Sequence, residues 1–351
     1  MKERCKHALC TLFNSVYADK GIVLYQSLEK VSSDFTLYVL AMDDKCYDIL
    51  SDLNYAHLVP VRLSDFEDED LLKAKSDRPF GQYCWTCSSS FIKYVLNTFR
   101  PDYCTYLDAD MMFYSDPYIL IEEMEAKTAS VSIVGHRFGW YAKKNENIIG
   151  RYCVECNTFK DDKNARDLLD IWINQCLKDC SQKQDGIHWG DQKYMDNWVS
   201  DYSYVIESDN LGAGIAPWNI PQYKFVKKND GDIMVKCRGG EYKVLFYHFE
   251  GITYKSLTEA DIHVYSRWGI DERLVDLFYK DYLILISEAK KLLSQNYNVD
   301  CLITSHPALQ KKSTLKKYMS KIQGVLGGGI VNFIWHVIPR SLFYKKDIIS
   351  F

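Results

Sequence analysis

Residues 105–117 read TYLDADMMFYSDP, a run of β-favouring residues that stops at Asp108 and Asp110 and then returns to apolar side chains. Residues i and i+2 of an extended chain point to the same side. Two carboxylates placed that way repel each other unless a cation lies between them. A buried strand that ends in such a pair fits an open α/β sheet, where ligands gather at the carboxyl ends of the strands. An oxygen-rich pair in that position suits Mg2+ or Mn2+.

The flanking chain supports that sheet. HALCTLFNS (7–15) reads as a strand, and YADKGIVLYQSLEKV (17–31) as an amphipathic helix with Ile22, Leu24, Tyr25 and Leu28 on its apolar face. FTLYVLAMDD (35–44) is a second buried strand ending in Asp43 and Asp44. CYDILSDL (46–53) is a short helix, HLVPVRL (57–63) a third strand, and 85–99 a helix leading into the opening segment. Strands alternating with helices, the strands continuously apolar, predict a mostly parallel sheet covered on both faces. Further on, ASVSIVGHRF (129–138) and KVLFYHFEG (243–251) read as strands, ARDLLDIWINQCL (165–177) as a helix, and 259–295 as helical.

The chain has 351 residues, 47% hydrophobic and 26% charged, with net charge −4. That composition supports a real core and gives no reason to expect nucleic acid as a partner. Aromatic residues reach 14%, with 26 tyrosines, which suits sugar- or base-stacking surfaces as well as a plain aromatic core. The 12 cysteines have no regular spacing and read as thiols in a reducing compartment. Cys84/Cys87 and Cys153/Cys156 have CxxC spacing. The first pair lies in a helical stretch, which argues against a zinc knuckle. MKERCKHALCTLF lacks the apolar run of a signal peptide, so the expected location is the cytoplasm.

Six blocks in order resemble the nucleotide-sugar-dependent glycosyltransferases of the GT-A fold. They are CTLFNSVYADKGIVLYQSL, YCWTCSSSFIKYVL, TYLDADMMF, HWGDQKYMDNW, LGAGIAPWN and YHFEG, and they span roughly residues 8–255. The chain looks most like bacterial enzymes of surface-polysaccharide synthesis (lipopolysaccharide or capsule) related to the retaining galactosyltransferases of glycosyltransferase family 8. The resemblance implies a Rossmann-like, mostly parallel sheet and transfer of a sugar from a nucleotide-diphosphate donor, UDP-linked, to a growing glycan. It implies Asp108, Asp110 and His248 as metal ligands, with Gly251 completing the H-x-x-G segment. Imidazole favours Mn2+ over Mg2+.

By the same resemblance, Tyr17 stacks on the nucleobase and Lys93 approaches the donor. Lys255 matches a phosphate-binding lysine, displaced by one position. Asp191 and Gln192 stand at the reacting sugar as the catalytic pair. Asp43 or Asp44 would hold the base or ribose, as acids at strand ends do. Gly212 and Gly214 allow close backbone approach in a binding loop. YCVECNTF (152–159) departs from the pattern: Cys153 stands where asparagine is usual, and Glu155 where a small residue is common. Two other readings of the chain are a sugar-nucleotide nucleotidyltransferase and a catalytically degenerate glycan-binding scaffold. The first lacks its Gly-rich basic loop after the first strand. An intact Asp108, Asp110 and His248 set argues against the second.

Three regions are expected: a catalytic domain at 1–258, a helical extension at 259–300 and a basic, amphipathic tail at 301–351. Within the tail, Lys311, Lys312, Lys316, Lys317 and Lys321 precede GVLGGGIVNFIWHVIP (324–339). That run is too short and too interrupted to span a bilayer. Lysines beside Phe333 and Trp335 suit an anionic membrane surface instead. The expectation is peripheral attachment to the inner face of the plasma membrane through 310–351, near a lipid-linked glycan acceptor.

Overall fold

The computed structural model describes residues 6–302 and 347–351, apart from positions 140, 141, 184, 230, 238, 265–267, 269 and 271. Its centre is a seven-stranded sheet in the order β3-β2-β1-β4-β7-β6-β8. These strands are β1 (His7–Phe13), β2 (Thr36–Ala41), β3 (Leu58–Arg62), β4 (Tyr103–Leu107), β6 (Val131–Gly135), β7 (Tyr152–Lys160) and β8 (Val205–Glu207). β3, β2, β1 and β4 run parallel. β7 is antiparallel to both neighbours, and β8 pairs parallel with β6. The mostly parallel sheet between helices that the sequence predicts is present.

Alternation along each strand builds two cores. In β1, Leu9 and Phe13 enter one core, while Ala8, Cys10 and Leu12 enter the other. β2 divides likewise, with Leu37, Val39 and Ala41 opposite Tyr38 and Leu40. The first core is covered by helices Ala18–Val31 and Glu272–Tyr297, the second by Phe80–Thr98 and Lys163–Lys178. A sheet buried on both faces needs nearly every strand residue apolar, which is why these strands were readable as unbroken runs.

A second layer brings distant chain to the end of β4. β5 (Met111–Phe113) pairs antiparallel with β12 (Phe246–His248). Between them in sequence, β9 (Lys224–Lys227), β10 (Ile233–Cys237) and β11 (Gly240–Lys243) form a small antiparallel sheet.

The boundary expected at 258 falls inside a hairpin of β13 (Thr253–Tyr254) and β14 (Glu259–Asp261), where the sequence predicted helix. The outer partner of β14 is β15 (Ile348–Ser350), near the end of the chain. Helix Glu272–Tyr297 buries Phe278, Tyr282 and Ile286 in the first core, so the extension is part of the same body. The basic tail expected at 301–351, with its five lysines and the 324–339 run, lies outside the described residues except at its ends.

Candidate active site

The β4–β5 turn carries Asp108 and Asp110, and neighbouring strands close around it. The Asp108 amide donates to the carbonyl of Glu155 on β7 (3.0 Å), and the Phe249 amide to the carbonyl of Asp110 (2.8 Å). Pairing of β12 with β5 sets His248 opposite Met111, just beyond the carboxylates. His248 Nε2 then lies 3.1 Å from Asp110 Oδ1 and 3.9 Å from Asp108 Oδ2. The Tyr17 hydroxyl donates to the other oxygen of Asp110 (3.1 Å). The Lys20 ammonium sits 3.6 Å over the Tyr17 ring.

Behind the imidazole stands a residue that the sequence marked only as a departure. Glu155 Oε2 lies 2.5 Å from His248 Nδ1, and the Glu155 side chain is fully buried. A carboxylate on Nδ1 fixes the tautomer and turns Nε2 toward a ligand, the usual support of a metal-binding histidine. The other oxygen of Glu155 has no hydrogen-bond partner among the described residues.

The predicted loop 211–219 completes the support rather than facing outward. Ile215 accepts from the His248 amide (2.9 Å), and the Trp218 ring meets the imidazole edge-on at 5.4 Å. Gly214 has φ +71°, and a Cβ there would come within 2.5 Å of Val134 and 3.2 Å of Glu155 Oε1. Gly212 is needed for packing, since a Cβ would collide with the Lys243 carbonyl.

The electrostatics follow from this crowding. Burial, partly offset by His248 and reinforced by Asp110, Asp191 and Glu155, raises the Asp108 carboxyl to about 7. Burial also works against an ionised Asp110, but His248, Lys20 and the Tyr17 hydroxyl outweigh it and hold that carboxyl at about 2. His248 is desolvated, which lowers its affinity for a proton, yet Asp110, Cys153 and Glu155 raise it well above the usual imidazole value. Asp191 is buried and raised to about 6 by desolvation, against a 2.6 Å hydrogen bond from Ser88.

Three carboxylates thus lie against one imidazole, with Asp191 close enough to Asp108 to repel its charge. Two carboxylates, an imidazole and an unpartnered buried oxygen behind it are the chemistry of a divalent-cation site, so the residues fit one. Among the described residues, one group of His, Cys, Asp and Glu has ligand atoms close enough to share an ion: Asp108, Cys153 and His248. Asp110 lies outside that tightest group, held by Tyr17 and His248. The two CxxC pairs do not come together as a four-thiol site.

Over 277 residues the chain is 31% identical to YfnD of Bacillus subtilis (strain 168), covering 78% of this chain and 86% of YfnD. With YfnF of the same strain it shares 30% identity over 298 residues, covering 83% and 96%. The chain belongs to the family of YfnD and YfnF. Both relatives are named only as uncharacterized proteins. No protein-family model matches the chain. Among solved structures, galactosyltransferase LgtC in complex with donor and acceptor sugar analogs aligns at TM-score 0.47 and 14% identity, over 77% of this chain and 94% of LgtC. Mouse xyloside xylosyltransferase 1 aligns at 0.45 and 12%, over 70% and 97%. At these scores the alignments decide nothing about function, which rests on the side chains.

In this member of the YfnD and YfnF family, the remaining predicted residues divide into two sets. Asp191 lies near enough to Asp108 to repel its charge, and its carbonyl accepts from the Trp172 indole (2.9 Å). Gln192 donates to the Ile149 carbonyl (3.0 Å). Gly251 lies in the turn after β12. Asp43 is the N-cap of helix Asp44–Leu53: one oxygen accepts from the Cys46 amide (2.7 Å), the other from the Ser15 amide and hydroxyl. Asp44 is exposed and 3.4 Å from Arg62. Lys93 pairs with Asp170 at 2.6 Å on the helical layer. Lys255 is exposed in the β13–β14 turn. Neither lysine touches the cluster. Lys20 and Glu155, which do bear on it, were missed because their roles come only from tertiary partners.

Proposed function

We propose that the chain is a metal-dependent glycosyltransferase that moves a sugar from a nucleotide-diphosphate donor, UDP-linked, to a glycan acceptor with retention. The observation that carries the reading is the convergence of Asp108, Asp110 and His248 beyond the carboxyl end of β4. Asp108, Asp110 and His248 would hold Mn2+ or Mg2+, which when bound offsets the charge growing on a departing diphosphate. Tyr17 and Glu155 orient Asp110 and the imidazole from opposite sides. Lys20 adds positive potential beside Asp110 on the side of β1. Asp191, ionised above about pH 6, supplies negative charge that steadies a sugar with oxocarbenium character. Retention is supported by the His248 block, with the acceptor proton passing to the departing phosphate oxygen.

The acceptor we propose is a surface glycan on a lipid carrier, reached through the basic segment 310–351 at an anionic membrane. Incubating the purified protein with a panel of nucleotide sugars, with and without Mn2+, tests the reaction. One donor is expected to release free nucleotide in a metal-dependent way. Tight Mn2+-dependent UDP binding with no release from any donor would instead favour a degenerate scaffold.

A further inference from the structure

Most buried cysteines of this chain, such as Cys10, Cys87, Cys104 and Cys176, lie in an apolar core. Cys153 is as buried as they are, at 4% exposure, but its surroundings differ. Its sulfur, an Asp108 carboxylate oxygen and a His248 ring nitrogen all lie within 4.8 Å of one another. Cys153 and Glu155 are two apart on β7, and both side chains reach His248. The pairing of β6 with β7 shifts register between Ser132 and Val134, so β7 departs from regular pairing where it meets the site. Bulges of this kind re-aim side chains beside active sites. One short stretch therefore brings Glu155 against Nδ1 of His248 and a thiol against the same imidazole.

We propose that Cys153 is a fourth protein ligand of the divalent cation, beside Asp108, Asp110 and His248, giving a carboxylate, imidazole and thiolate donor set. This rests on the metal-dependent reading above. Binding breaks the S–H bond and forms a sulfur–metal bond, and the proton leaves to solvent. A thiolate changes selectivity: oxygen donors suit Mg2+ and Mn2+, whereas sulfur favours softer ions such as Zn2+ and Co2+. The site then prefers Zn2+ and Co2+ to Mn2+, and Mg2+ comes last.

Titrating Co2+ into the full-length wild type, Cys153→Ser, Cys153→Ala and Asp108→Asn tests this by absorption. In the wild type, a near-ultraviolet thiolate-to-cobalt band is expected to grow to one equivalent. Both Cys153 variants should lose that band while keeping the visible cobalt bands. The ratio of Zn2+ to Mn2+ affinity, measured by calorimetry, should fall about tenfold or more in each. Co2+ bound by the wild type without the thiolate band overturns the assignment, as does a band that survives in the alanine variant. Failure of the wild type to bind Co2+, or Asp108→Asn binding it as tightly as wild type, removes the metal-dependent reading itself. The alanine variant leaves no hydroxyl to desolvate, so it stands in if serine is poorly tolerated at this buried position.

Discussion

Asp110 is the residue on which most of the site's geometry turns, because its carboxylate meets Tyr17 and His248 while its carbonyl accepts from the Phe249 amide. Asp110→Asn keeps its shape and removes its charge. Loss of one comparable electrostatic stabiliser costs on the order of 3 kcal/mol, so turnover at saturating Mn2+ is expected to fall a hundredfold or more with an unchanged melting curve. A variant that retains a third of the wild-type rate sinks the metal assignment. Glu155→Gln probes the support behind His248: substitutions of such partners typically cost about 10–100-fold in metal affinity. Calorimetric Mn2+ titration should show a loss in that range while the melting temperature stays close to wild type. The site also predicts its own pH response. A cation needs Asp108 ionised and His248 without its Nε2 proton, so binding releases protons and strengthens as pH rises. With Asp108 at about 7, its ionisation alone tightens Mn2+ binding roughly tenfold between pH 6 and 8. The His248 proton adds to the same direction, and a flat affinity across that window would contradict the geometry.

The helix Ala18–Val31 follows β1 directly, yet its position depends on the helix Glu272–Tyr297 from the other end of the chain. Asp19, fully buried, lies 2.6 Å from the Lys290 ammonium, which is itself buried and also donates to the Cys301 carbonyl. Removing one partner of a buried pair leaves the other charge uncompensated. Lys290→Ala is therefore expected to cost about 3–5 kcal/mol, whereas Lys290→Met combined with Asp19→Asn should recover most of it. Urea unfolding measures both, and a loss below about 1 kcal/mol in the single variant would show that the pair does not tie the helices together. This pair shows where sequence reading stops. Asp19 is an acid in the first turn of its helix, favourable at any helix start, and nothing local names Lys290. The parallel strands were legible because burial on both faces leaves an unbroken apolar run. β7 was not, since buried Glu155 and Asn157 interrupt the run and only His248 across the sheet accounts for Glu155. Asp43 ends its strand as expected, but both its oxygens are used by Ser15 and Cys46.

The last described stretch alters how the tail has to be tested. The described chain stops at Leu302, beside the Cys301 carbonyl held by Lys290, and resumes at Asp347, where β15 lies against β14. Truncation after 323 would remove a paired strand while leaving all five lysines in place, so loss of membrane binding in that variant would be ambiguous. No described helix is long and apolar enough to cross a membrane. The proposed attachment to an anionic surface works through charge and partial insertion. Each lysine near such a surface contributes about 1 kcal/mol, screened by salt. Under that proposal five lysines would together supply enough for association at low ionic strength, and Phe333 and Trp335 would add apolar contact. Replacing Lys311, Lys312, Lys316, Lys317 and Lys321 by Glu leaves β15 untouched. The wild type is expected to float with phosphatidylserine-containing vesicles at low salt and to be released by raised salt. The charge-reversed variant should stay at the bottom while keeping donor-dependent nucleotide release. If wild type and variant both stay at the bottom at low salt, the proposed acceptor would have to be met without the membrane surface, and a soluble glycan becomes the better substrate class.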